Sequence, residues 1–494
     1  CKWFMKVLFC QESKRSDIFQ SGYHLSKVSS PKLSQVQTRV RNYRKNILHD
    51  NDFVDEMEKL ILQHPYSTSI VNNEAFSFCY CVDMYGNPKL DKGPEDEPLV
   101  VGFATKSTIR RLKFAAQYMI HLDATFKLNS KGFPVIAIGV SDMWRQFHLV
   151  SMFLVSDTKQ PQWEVAIQST LDMYMRITGE ITCISYVMTD ANAAQRNAFD
   201  AVAFQYLNVE QGPKFITCFF HVMKNVKKHT SQLSQSKQQS VYRHVYSFHY
   251  ARDHVEMKSR IQIAVKDWKG DPELHDFCSY FIQQWITSPY RHWQCIETPM
   301  GMAKTNNPIE NFNRQFKQQQ TQRRLLRLNV LFTKLLECCT LKSVLETPFQ
   351  TETRTSPGIL RGYRKLHAEK ALSIEQIPDS AIAVSNGKLY QVFQHYKPVT
   401  LVRKPSAAKT EAATERVFEA ESQPARGWLI HPEFHLCSCR TWFKLGCCVH
   451  LTAVQLKLGM NLHGTSGKRP VFEDKRRKKK RGRPAQAGPA LSLH

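Results

Sequence analysis

The sequence predicts an α/β protein: a mixed sheet with helices on its faces, a long helical insertion, and a small β/α module near the C-terminus. Three observations carry this. Between Gln117 and Cys218 short apolar runs and helical stretches follow one another in the order β-β-β-α-β-α-β. From His221 to about Met302 the pattern turns helical and rich in Trp, Tyr and Gln. Further on, Cys437-Ser438-Cys439 and Cys448-Val449-His450 stand at metal-ligand spacing.

Each element has its own signal. Tyr118 to Asp123 is a short apolar run ending in an acid, Val135 to Val140 a buried-type strand, and Phe147 to Val155 a third strand. Lys131-Gly132-Phe133-Pro134 supplies the turn between the first two. A helix follows over about Trp163 to Ile177, a β-rich run over Ile181 to Met188, a helix from Ala191 to Leu207 and a strand at Lys214 to Cys218. Three hairpin-linked strands followed by crossovers give a mixed sheet. Pro308 then falls in the first turn of a new helix, where its missing N–H costs nothing. Upstream, a helix is expected around Leu33 to Ile61, and strands around a loop over 72–103.

The 494 residues exceed one ordinary core, at roughly 100–200 residues per domain. The expected division is an accessory basic region at 1–103, a core at 104–345 with its insertion at about 222–303, a linker and pre-finger region at 346–425, a finger at 426–462 and a basic tail at 463–494. Within the linker region, Ala407 to Ala425 reads as flexible. A hydrophobic fraction of 42% supports packed interiors. The net charge of +25 creates a field that attracts polyanions, and nucleic acid is the commonest such partner. The 14 cysteines are spread too widely for a secreted disulfide scaffold, which favours a reducing compartment. No apolar run approaches the ~20 residues of a membrane span, and Trp3 to Phe9 is too short for a signal peptide. The chain starts with Cys1, so a further upstream DNA-binding module is an open expectation.

Three acids draw attention. Asp123 and Asp190 each end a predicted strand, where ligands of open α/β sheets gather. Two carboxylates there can share divalent cations such as Mg²⁺, which take oxygen ligands and keep waters and phosphate oxygens. The plainer readings are a helix N-cap for Asp190 and a turn residue for Asp123. Glu310 is the third candidate. Ile309, Phe312 and Phe316 form one face of its helix, while Glu310, Arg314 and Lys317 form the neighbouring one. That face offers a carboxylate to metal and cations to DNA phosphates; the plainer reading is a Glu placed to complement the helix dipole. Glu297 is a weaker competitor. Trp285 and Trp293 read either as helix packing or as platforms for bases. Cys218 and His221, as C-x-x-H with no second pair nearby, make a poor zinc site on spacing alone.

Together, Asp123-Ala124-Thr125-Phe126-Lys127-Leu128 with Gly132-Phe133-Pro134, then Thr189-Asp190-Ala191, then Cys218-Phe219-Phe220-His221, then Asn307-Pro308-Ile309-Glu310-Asn311-Phe312-Asn313 resemble the ordered blocks of Mutator-like element transposases. The resemblance covers about residues 100 to 340. It implies an RNase H-like fold and cut-and-paste DNA transposition, with Asp123, Asp190 and Glu310 as a DDE triad holding Mg²⁺ or Mn²⁺. It also implies that Cys218 and His221 lie near that site.

Cys437, Cys439, Cys448 and His450 offer four ligands that close a tetrahedral structural Zn²⁺ site; Cys447 is a spare thiol that could stand in for Cys448, although the C-x-H spacing favours Cys448. C-x-C followed by C-x-H resembles a SWIM zinc finger, a module that such transposases carry behind the catalytic core. The tail contains Lys475 to Pro484, a basic block read as a nuclear localisation signal, and Arg481-Gly482-Arg483-Pro484 resembles an AT-hook core whose arginines enter a narrow minor groove. The expected protein is therefore a nuclear DNA transposase acting on double-stranded DNA as a homo-oligomer, without membrane association. The alternatives are a domesticated, catalytically silent DNA-binding regulator of the far-red-impaired type, or a SWIM-containing interaction adaptor.

Overall fold

The computed structural model describes residues 33–47, 50–90, 98–206, 212–345, 347–378, 388–397, 416–462 and 464. The basic block and the AT-hook-like arginines Arg481 and Arg483 lie outside them.

Two helices open the described chain, α1 (Leu33–Asn46) and α2 (Val54–Gln63). One continuous helix was the expectation from sequence. It breaks at Asn51, whose Oδ1 accepts from Phe53 N at 3.1 Å while its Nδ2 donates to the Lys45 carbonyl at 3.0 Å. An Asn that bonds its local backbone in this way competes with helix continuation.

The central sheet contains β1 (Ala75–Phe78), β2 (Val100–Thr105), β3 (Met119–Thr125), β4 (Val135–Ser141), β5 (Phe147–Val155), β6 (Tyr186–Thr189) and β7 (Lys214–Thr217). Their spatial order is β1-β2-β5-β4-β3-β6-β7. The pairs from β1 to β3 are antiparallel, whereas β6 and β7 run parallel to β3. A short α3 (Lys106–Arg110) follows β2, and crossovers α4 (Gln160–Thr178) and α5 (Ala193–Tyr206) make those parallel pairs possible. The strand expected over Ile181 to Met188 is shorter, because Thr182 and Ser185 spend their hydroxyls on the carbonyls of Leu112 and Ala116 before pairing begins.

Alternation along the strands fills two cores. Ile120, Leu122, Ile136, Ile138 and Phe153 pack against Trp163, Ile167, Leu171 and Phe199 of α4 and α5. Val135, Ala137, Met152 and Leu154 face the opposite side. There they meet α10 (Asn307–Gln319) and α11 (Leu328–Val344) through Ile309, Phe312, Phe316, Leu331 and Phe332. Each buried Phe contributes roughly 1.5–3 kcal/mol, which fixes α10 against β3, β4 and β5. The sheet also needs Gly139, opposite His121: a Cβ there would lie 2.4 Å from the Phe147 ring and 2.5 Å from the His148 carbonyl.

Between β7 and α10 lies the expected helical unit: α6 (Phe219–His229), α7 (Gln235–His249), α8 (His254–Lys269) and α9 (His275–Phe281). Its core includes Trp268, Trp285 and Trp293. Trp285 and Trp293 are each 1% exposed, and their indole N–H groups donate to Tyr280 OH and the Trp285 carbonyl. They are packing residues, and the base-stacking reading falls away.

A four-stranded sheet, β8 (Leu372–Gln376), β9 (Tyr390–Gln394), β10 (Trp428–His431) and β11 (Leu436–Cys437), forms the C-terminal module in the order β11-β10-β9-β8. Two of its strands and α12 (Pro357–Ala368) come from the stretch read as linker, and Tyr390 and Val392 are needed to bury Trp428 and Ile430. In the Ala/Glu-rich stretch, residues 416–421 form a helix whose Phe418 packs 5.0 Å from Tyr246, ring to ring. That part of Ala407 to Ala425 is structured, since one buried aromatic anchors it. Among the described residues no helix is long and apolar enough to cross a membrane.

Candidate metal centres

Asp123 and Asp190 arrive on neighbouring parallel strands. His121 pairs with Met188, so two residues further along come the two acids. Asp190 directly follows β6, and the next residue, Ala191, takes a left-handed φ of 59° to turn the chain toward α5. A non-glycine residue in that region costs of order 1 kcal/mol and marks an imposed geometry. Asp190 is not the helix cap: Asn192 takes that role, its Oδ1 accepting from Ala194 N at 2.9 Å. Asp190 Oδ1 instead accepts from Asn306 Nδ2 at 3.0 Å and lies 3.2 Å from His221 Nδ1.

Glu310 enters from the first turn of α10. The three carboxyls sense one another. Burial pushes the Asp123 carboxyl up to about 7, helped by the charges of Asp190 and Glu310 and opposed by a hydrogen bond from Asn313. Glu310 is also raised, first by burial and then by Asp190, against the pull of His221 and Lys224. Like charges crowded into a half-buried site favour either a proton or a cation between them. The Asn313 Nδ2 holds Asp123 Oδ2 at 2.8 Å, while Asn313 Oδ1 is buried without a partner. An unpaired acceptor beside oxygen ligands suits a hydrated Mg²⁺ or Mn²⁺, whose waters need acceptors.

Sequence reasoning missed the residues beneath the acids. Asn306 is fully buried; besides Asp190 it reaches the Leu122 carbonyl at 3.4 Å, and its Oδ1 lies 2.9 Å from His121 Nδ1. Because that amide's N–H groups serve Asp190 and Leu122, His121 Nδ1 must be the donor. His121 Nε2 then accepts from Ser141 Oγ at 2.8 Å. Burial drops His121 to about 4, partly offset by Asn306, so the ring is neutral. The polar residue before Asn307-Pro308 was the available signal.

The other candidates are also located. Arg314 is exposed and donates to Asn311 Oδ1. Lys317 is half-buried; burial lowers it against the attraction of Asp123, with Lys127 adding repulsion. Glu297 belongs elsewhere: it binds Lys214 at 2.6 Å and His292 at 3.2 Å. Those partners outweigh burial and hold it at about 2. Cys218 is buried at the N-cap of α6 with His221 one turn on, and burial's lowering of His221 is overcome by Asp190 and Cys218, which bring it to about 10.

In the C-terminal module, α13 (Arg440–Leu445) and α14 (Val449–Lys457) start at Cys439 and Cys448. Ligand atoms of Cys437, Cys439, Cys448 and His450 all lie within 4.8 Å of one another, and all four residues are buried. His450 Nε2 donates to Gln394 Oε1 at 2.7 Å, leaving Nδ1 buried and unpartnered. Trp442 N and Leu451 N point at the sulfurs of Cys439 and Cys448 at 3.3 and 3.4 Å. Three thiols, one orphaned imidazole nitrogen and N–H···S donors fit a structural zinc site with its outer hydrogen bonds in place. Cys447 turns away, 3.3 Å from Thr355 Oγ1, so it is not a fifth contender. Gly446, at φ 68°, makes the sharp turn between the two helices, where a Cβ would strike Thr353.

The chain is a mixed α/β protein that brings Asp123 and Asp190 to the ends of adjacent parallel strands. Residues 119–225 match the family model of the MULE transposase domain. The matched segment runs from the first residue of β3 into α6, taking in Asp123, Asp190, Cys218 and His221. That stretch is thus similar to a MULE transposase domain, and a Cys/His cluster compatible with a zinc module lies behind it. No curated protein matches the chain.

Proposed function

We propose that the protein is a DDE-type DNA transposase, cutting DNA at transposon termini and joining it to a target. The placement of Asp123 and Asp190 at the ends of neighbouring parallel strands, with Glu310 in the first turn of α10, carries this reading. An RNase H-like core is supported by the order β5-β4-β3-β6-β7, an antiparallel meander extended by two parallel strands.

Asp123, Asp190 and Glu310 would hold Mg²⁺ or Mn²⁺. A bound pair of such ions activates an attacking hydroxyl and stabilises the leaving oxygen. The protein's own residues do the rest. Asn306 and Asn313 fix two of the carboxylates, so their lone pairs are aimed before substrate arrives. His221 stands beside Asp190, with its Nδ1 3.2 Å from Asp190 Oδ1. Arg314 and Lys317, with Lys127 close to Lys317, provide cations for the DNA backbone at the edge of the acids. Cys437, Cys439, Cys448 and His450 would hold Zn²⁺, which would tie the C-terminal module together. The +25 charge suits a double-stranded DNA partner, and the Lys475 to Pro484 block supports a nuclear location. Joining two transposon ends favours a homo-oligomer in the DNA complex.

The test is nicking of a labelled terminal-repeat duplex with Mg²⁺ or Mn²⁺. The parent protein cleaves and Asp123→Asn does not. Specific binding without cleavage by either protein would point instead to a DNA-binding regulator.

A further inference from the structure

C-x-x-H spacing supplies only two ligands, but the fold adds a third. Ligand atoms of Asp190, Cys218 and His221 all lie within 4.8 Å of one another. They come from two elements: Asp190 follows β6, while Cys218 and His221 share the first turn of α6, and the Cys218 N–H bonds the Thr189 carbonyl at 2.9 Å to clamp the two together.

Three details go beyond proximity. First, His221 Nδ1 is buried and, despite its 3.2 Å approach to Asp190, makes no well-directed hydrogen bond. Second, Cys218 Sγ does not cap its own helix; it accepts from Asn306 N at 3.3 Å. That contact has the length of the N–H···S contacts to Cys439 and Cys448 in the C-terminal cluster. Third, Cys218, Cys439 and Cys448 all stand at helix N-cap positions; Cys439 and Cys448 accept from their own helices, whereas Cys218 accepts from the start of α10. An ordinary buried cysteine needs none of this.

We infer that Asp190, Cys218 and His221 form a second soft-metal site, suited to Zn²⁺ or Co²⁺, with one position open to water. Sulfur and imidazole select such ions over Mg²⁺, and three protein ligands leave the fourth tetrahedral position accessible. The site shares Asp190 with the proposed catalytic carboxylates but uses neither Asp123 nor Glu310. It therefore stands or falls separately from the nuclease reading. One consequence is that a soft metal seated here competes for Asp190.

The test is cobalt loading of metal-stripped, refolded full-length protein, read by elemental analysis and by thiolate-to-cobalt charge-transfer absorption. The parent should hold about two cobalt ions per chain. His221→Ala and Cys218→Ser should each hold about one and lose part of the charge-transfer band, while Asp123→Asn keeps both ions. His221 is partly exposed, so its alanine variant should fold, and an unchanged melting profile verifies this. Equal cobalt content and spectra in the parent, His221→Ala and Cys218→Ser would overturn the proposal. So would a second ion lost in Asp123→Asn and kept in His221→Ala, which would assign it to the carboxylates. Terminal-repeat nicking, measured separately, reports on the nuclease reading.

Discussion

Asn306 Nδ2 bonds Asp190 Oδ1 across 116 residues of sequence, joining the start of α10 to the end of β6. The same side chain meets neutral His121, so the position of Asp190 is set from beneath by a buried chain running through Ser141, His121 and Asn306. Asn306→Ala should therefore destabilise the protein by about 1–3 kcal/mol, because it strands the buried His121 donor. It should also weaken Mn²⁺ binding, since Asp190 loses its anchor. Denaturant melts and Mn²⁺ titration check both effects; normal Mn²⁺ affinity would show that the carboxylate needs no such support.

The raised Asp123 carboxyl makes stability depend on pH. It titrates at about 7 when folded, against about 3.9 in an unfolded chain. A carboxyl raised on folding contributes stability that is fully present below about pH 4 and is lost as pH climbs through 7. Metal-stripped protein should thus melt lower at pH 8 than at pH 5.5. Asp123→Asn should reduce that difference, and Mn²⁺ should stabilise the parent more at pH 8. A pH-independent Mn²⁺ effect would argue against cation binding at Asp123.

Cys439→Ser should lower the zinc content by about one ion per chain and loosen the C-terminal sheet, because a buried three-ligand remnant binds far more weakly than the closed set. Elemental analysis and protease sensitivity of the 426–462 region give the readout. Zinc content unchanged from the parent would remove the structural site from the account.

Trp293→Ala should cost about 3–5 kcal/mol by opening a cavity in the helical unit. A base-stacking residue would instead lose DNA affinity with little change in stability. Thermal melts beside DNA-binding curves separate the two.

Much of this was legible in sequence where a signal is local. Strands β3 to β5 and helix α4 follow from apolar periodicity, and the C-x-C and C-x-H pairs follow from ligand chemistry. The helix that carries Glu310 was legible because Pro308 marks its start. What was not legible depends on distant partners. Asn306 and Asn313 are polar residues in a helical stretch, and nothing nearby says that one faces Asp190 and the other Asp123. Asp190 as a helix cap was an equally good local reading until Asn192 proved to hold that bond. Strands β8 and β9 read as linker because β9 takes its register from β10, more than thirty residues further on, and β8 then pairs with β9. The break at Asn51 rests on a side chain choosing backbone partners, which helix propensity does not report.

The most direct test of the central claim is crystallographic: anomalous scattering from Mn²⁺ soaked into the protein with a cleaved terminal-repeat duplex. The account predicts manganese bridging Asp123 and Asp190, with Glu310 contacting the same ion pair. Manganese found only away from Asp123 and Glu310, with their carboxylates free of metal, would contradict it.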